Sequence, residues 1–98
     1  MNEKNIRPIT VNNCEEIWNI KDVLLSLEHY RQNRIIVLGG DILDTQFKHT
    51  YDSWYYNPDN TKDTMSNVNN SIQKATKYIT EYINRNGNNY YVTIVLNR

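Results

Sequence analysis

Ninety-eight residues leave room for one domain, 1–98, built round a single core. Eleven Lys+Arg balance eleven Asp+Glu, which excludes the basic excess of a protein that grips a phosphate backbone. The lone Cys14 has no internal disulfide partner, the polar start Met1-Asn2-Glu3-Lys4-Asn5 has no apolar stretch behind it, and no apolar run nears a membrane span; a cytoplasmic location is expected.

In chain order, residues 1–17 are ambiguous. Ile6 to Val11 fits an edge strand or a loop equally, Pro8 being tolerable only where no ladder hydrogen bond is needed. The signals sharpen at Asn19, whose side chain can accept from the free N–H groups of a first helical turn. Asp22 stands where the helix dipole favours an acid, and Trp18 and Val23 are spaced as a hydrophobic staple. Val23, Leu24, Leu27 and Tyr30 then share a face, so a helix is predicted over 20–32, ended by Asn33.

Residues 34–38 turn apolar and β-branched at consecutive positions, as in a strand covered on both faces. Gly39-Gly40 permits a bulge, a bend or the close approach of another backbone, and Ile42-Leu43 can continue the strand. A polar connection over 44–50 leads to the aromatic run Tyr51-Asp52-Ser53-Trp54-Tyr55-Tyr56, giving a β-hairpin with a long loop. Asn57-Pro58-Asp59-Asn60 is a turn by composition. Met65, Val68, Ile72, Ala75, Ile79, Tyr82 and Ile83 then recur at spacings of three and four, the clearest helical stripe in the chain. Its start is open among Thr61, Asp63, Thr64 and Ser66, while Asn86-Gly87 ends it in a left-handed residue. Tyr90, Val92, Ile94 and Leu96 alternate in a last strand.

The expected order is α-β-β-α-β, an α+β two-layer sandwich with two helices packed on one face of a three- or four-stranded mixed sheet. The second helix returns the chain across the sheet, so the last strand should run parallel to the 51–56 strand. If it lies beyond the 35–38 run, that run is central.

The search for chemistry is mostly negative. His29 and His49 fall in different elements, and no HExxH, CxxC or close His/Cys set exists, so no metal or cofactor is expected. Glu15-Glu16 beside Cys14 oppose thiolate formation, the reverse of nucleophile activation. Asp41, Asp44, Asp52, Asp59 and Asp63 gather against only Lys48 and Lys62. Paired carboxylates serve acid–base chemistry, yet aspartates are also turn residues, and the set suits a solvated or partner-facing rim better. In an alternating strand Tyr51, Ser53 and Tyr55 share one face, and Asp52, Trp54 and Tyr56 the other. One face packs beneath the helices; aromatics on the other form a second small core or an exposed contact patch.

Val37-Leu38-Gly39-Gly40-Asp41, the Tyr51–Tyr56 run and Ser71-Ile72-Gln73-Lys74-Ala75-Thr76-Lys77-Tyr78-Ile79 together resemble the immunity protein 40 family of bacterial polymorphic toxin systems. In that family V-L-G-G-D, a Y-D-x-W-Y-Y segment and S-I-x-x-A-x-x-Y-I follow in this order. The resemblance covers about residues 18–97. It implies a small cytoplasmic protein, encoded beside a toxin, that binds and blocks the toxin domain, and it lends no catalytic residues. Asp41, Asp52, Trp54 and Tyr56 are motif residues. With Asp44 and Asp59, which extend an acidic patch suited to a cationic toxin, they form the candidate partner-binding set. Gly39-Gly40 fit a demand of backbone geometry, and Trp54 also fits a core. The expected partner is a protein rather than nucleic acid or membrane, with the chain a monomer or weak homodimer. Two alternatives stay open: a small ligand-binding or adaptor module using residues 51–56 and, less favoured, a small enzyme using the aspartates.

Overall fold

A computed structural model describes residues 7–11 and 14–97; Ile6, at the start of the ambiguous segment, lies outside the described residues. Helix α1 (Ile20–Gln32) begins where the Asn19 side chain accepts the Lys21 N–H at 3.0 Å. Trp18 and Val23, flanking that cap, are both buried in the core, as a staple requires. The helix stops at Asn33, whose backbone and side-chain N–H groups both reach the His29 carbonyl. Helix α2 (Thr64–Asn86) starts on Asp63, which accepts the Ser66 N–H at 2.8 Å. It ends at Gly87, whose φ of 86° suits a residue without Cβ. Of its apolar stripe Val68, Ile72, Ala75, Ile79 and Tyr82 are buried, with Met65 and Ile83 half-buried at the margin.

The strands are β1 (Thr10–Val11), β2 (Glu15–Asn19), β3 (Ile36–Leu43), β4 (His49–Tyr55) and β5 (Tyr91–Asn97), in the spatial order β1-β2-β5-β3-β4. A four-stranded sheet thus carries the two-residue β1 as an extension at one edge. Every neighbouring pair is antiparallel, which corrects the expected mixed sheet. β4 and β5 do run the same way, but β3 lies between them, so no parallel pair forms. The expected element order is also corrected, because strands precede α1 and the main run is β-α-β-β-α-β.

β2 is hidden in the sequence because one of its two inward side chains is charged. Glu16 and Trp18 point into the core, and a carboxylate at an inward position breaks the apolar alternation that marks a strand. The group is satisfied in place. The Trp18 indole N–H donates to Glu16 Oε1 at 3.0 Å, and the Tyr30 hydroxyl donates to the same oxygen. Burial, then this carboxylate, push the Tyr30 phenol above its ordinary range.

β3 is central, flanked by β5 and β4, which accounts for its consecutive apolar residues. The register against β5 slips between Val37 and Gly39. At this bulge the Val37 N–H turns to the buried Ser71 hydroxyl of α2, 3.0 Å away, so the ladder bond it gives up is replaced. The two glycines are there for close approach. A Cβ on Gly39, at φ 151°, would lie 2.4 Å from the Trp54 carbonyl oxygen; one on Gly40 would lie 2.1 Å from the Thr93 oxygen and 2.7 Å from the Trp54 ring.

Candidate partner-binding surface

Gly40 stands opposite Trp54 in the β3–β4 ladder, and the indole fills the space that a side chain at 40 would occupy. Trp54 is only 6% exposed and stacks on Tyr78 of α2, ring centres 5.0 Å apart. Its indole N–H is buried with no hydrogen-bond acceptor among the described residues, so packing rather than polar contact holds it. Two residues earlier, Asp52 Oδ2 accepts the Tyr82 hydroxyl at 2.9 Å. Burial and then this carboxylate push the Tyr82 phenol up to about 12.

Asp52 and Trp54 therefore face α2, and the face left open is the other one. It presents Tyr51, 93% exposed, and Tyr55, 67% exposed. The exposed aromatic patch exists, but it is made of the partners of Ser53 rather than of Trp54.

The remaining candidates lie apart. Asp41 is half-buried on the helix-free face between Thr93 and Ser53, its Oδ2 3.4 Å from the Thr93 hydroxyl. Asp44 closes the β3–β4 loop by accepting the N–H groups of Gln46 at 2.8 Å and Lys48 at 3.0 Å. Those bonds, the one from Lys48 foremost, hold its carboxyl below the usual range. Asp59 accepts the Thr61 hydroxyl at 2.6 Å and the Thr61 N–H at 2.9 Å, which lower it likewise. Buried Asn67 of α2 ties that turn down, taking the Tyr56 hydroxyl at 2.6 Å and the Asp59 N–H at 2.8 Å.

The six residues thus form no single cluster. Asp52 and Trp54 meet α2 at Tyr82 and Tyr78, Tyr56 and Asp59 meet it at Asn67, Asp44 sits in the loop and Asp41 on the open face. Asp41 and Asp52 lie on opposite faces of the sheet, so they do not share a proton or flank one bond as paired catalytic carboxylates must. Among the described residues no three His, Cys, Asp or Glu side chains come together in a way that could hold a metal ion. No described helix is long and apolar enough to cross a membrane.

What pattern reasoning missed is Tyr51, Tyr55 and, at the loop tip, Phe47, which is 48% exposed and stacked on Tyr91 at 4.3 Å. Alternation separates Tyr51 and Tyr55 from Trp54 but does not say which set is inside. Gly40 does. In this sheet the Trp54 indole lies over Gly40, in space that a side chain at 40 would fill. The charge is local as well: residues 41–59 hold four aspartates against one lysine, a net of three negative charges in a chain whose total is zero.

Residues 8–96 match a family model described as Immunity protein 40. No curated protein and no solved structure matches the chain.

Proposed function

The chain belongs to the immunity protein 40 family, and from that premise we propose that it neutralises the toxin domain of a cognate bacterial polymorphic toxin by binding it in the cytoplasm, without chemistry of its own. The observation that carries this reading is the extent of the match, residues 8–96 of 98.

In this reading Asp41, Asp44, Asp52 and Asp59, though they form no single cluster, give the stretch 41–59 a local negative potential, which speeds encounter with a cationic domain. Trp54 and Tyr56 serve the same surface by holding β4 and the following turn against α2. The protein acts as a monomer or weak homodimer and takes one toxin domain.

Co-expression with the C-terminal domain of the toxin encoded beside it tests the proposal. Growth should be rescued, and the two proteins should co-purify in equal amounts. A toxin that kills equally with and without this chain, or rescue with no complex formed, would sink the reading.

A further inference from the structure

The β3–β4 hairpin sets bulky side chains where backbone geometry disfavours them. Among the described residues the non-glycine positions with positive φ are Arg34, Phe47 at 63° and Tyr51 at 71°. A β-unbranched ring in the left-handed region is an outlier, and glycine would sit there free of strain. Neither ring has a core role to offset it. Tyr51 is almost wholly in solvent, and Phe47 is half so. The conformation is imposed by the surrounding bonds: Asp44 gathers the loop N–H groups, the Thr50 hydroxyl donates to the Ile42 carbonyl at 2.9 Å, and the Asp52 N–H reaches that same hydroxyl. Residues held in sparsely populated backbone conformations cluster at ligand clamps and other functional sites, and tyrosine is among the residue types enriched at interface hot spots.

The same hairpin shows how it would be met. β4 is an edge strand, yet it is poorly suited to adding another strand. Its register slips between the pairs Asp41–Ser53 and Leu43–His49, and the Lys74 ammonium occupies the Tyr55 carbonyl at 2.7 Å; a bulge and a lysine are both devices that blunt an edge. That removes strand pairing with a second copy as the natural occupant. Side-chain docking remains open, and Lys74 gives its chemistry in miniature, its Nζ lying 5.9 Å from the centre of the Tyr55 ring. Ring faces bordered by carboxylates accept cations. The stretch that carries Tyr51 and Tyr55 is also the one with three net negative charges.

We infer that the hairpin, through Tyr51 and Tyr55 with Asp41 on the same face of the sheet, is the dock for a lysine- or arginine-bearing loop of the toxin domain, read by side chains and not by strand addition. This rests on the immunity reading above. The test is titration of a catalytically inactivated toxin domain into the intact protein and its Tyr51→Gly, Tyr55→Ser and double variants, with thermal melting of each.

Tyr51→Gly should weaken binding about tenfold or more while leaving the melting temperature unchanged or higher, a split that a merely structural role would not produce. The double variant should weaken it further, and added salt should slow association of the wild type. If wild type binds and all three variants bind within about twofold of it, the dock lies elsewhere and the immunity reading stands. If wild type does not bind, the immunity reading falls and takes the dock with it. A concentration-dependent dimer that dissociates on Tyr51→Gly, with toxin binding untouched, would overturn the assignment in favour of a second copy.

Discussion

The two sides of β4 are made of similar residues and live in different environments. On one side Trp54 is stacked on Tyr78 and Asp52 is tied to Tyr82, so an aromatic and an acid are consumed by the packing of strand on helix. On the other, Tyr51 and Tyr55 stand in water. By area an enclosed indole is worth roughly 4 kcal/mol, whereas an exposed tyrosine in a left-handed conformation costs stability of the order of 1 kcal/mol. One motif therefore alternates between two environments within one strand. Asp52 and Trp54 hold it against α2, and Tyr51 and Tyr55 of the same motif are left in water.

The contrast can be tested from the deepest contact outward. Gly40→Ala should have the largest effect, because the added carbon meets the Thr93 backbone oxygen at 2.1 Å as well as the indole. A loss of more than about 4 kcal/mol is expected, most of the stability of a domain this size, read as collapse of the urea transition. Trp54→Ala should cost about 3–5 kcal/mol by leaving a cavity under Tyr78; a loss under about 1 kcal/mol would mean that the two sides of β4 do not differ as described.

Tyr82→Phe should cost roughly 1 kcal/mol near neutrality, since Asp52 remains exposed enough to find water. It also carries a pH signature. The Tyr82 phenol is raised from 10.0 to about 12, so the stability it lends is complete below pH 10 and is lost as the pH climbs through 12. Alkaline denaturation curves of wild type and Tyr82→Phe should converge over that window. The sign reverses for Asp44, Asp59 and Asp63, whose carboxyls are lowered from 3.8 by turn and cap hydrogen bonds. Their contribution is present above pH 3.8 and fades as the pH falls through the lowered values, so Asp44→Asn should flatten the acid limb of the stability curve. The smallest change belongs to the open side: Tyr51→Gly should alter stability by zero to about 1 kcal/mol in the stabilising direction, strain relief against added chain entropy.

Both helices were legible because their signals are local. Asn19, Asn33 and Gly87 terminate backbone ladders through groups within a few residues, and the α2 stripe repeats five times. β2 was not, since Glu16 is an inward residue only by virtue of Trp18 and of Tyr30, fourteen positions away. Sheet order was half legible: a strand as apolar as β3 has to be central, but nothing local says that β5 also pairs with a segment from before α1. The candidate site failed in a similar way. The period of two in 51–56 is plain, whereas the inward set is decided by Gly40, on another strand. Asp44 and Asp59 gave the same composition signal as a binding rim, yet each makes turn hydrogen bonds, which depend on backbone N–H positions that a list of acids does not contain.

The place of β5 has a consequence for biosynthesis. It is translated after every other strand of the sheet, yet it lies between β2 and β3. Until it leaves the ribosome, the nascent chain can hold the β3–β4 hairpin and both helices, but β2 has only β1 beside it. The finishing step is the insertion of a strand into a gap, with contacts that span nearly the whole sequence, which is the slow kind of closure. Truncation or a stalled ribosome near residue 90 would leave two unpaired inner edges and so an aggregation-prone fragment, not a domain lacking only its tail.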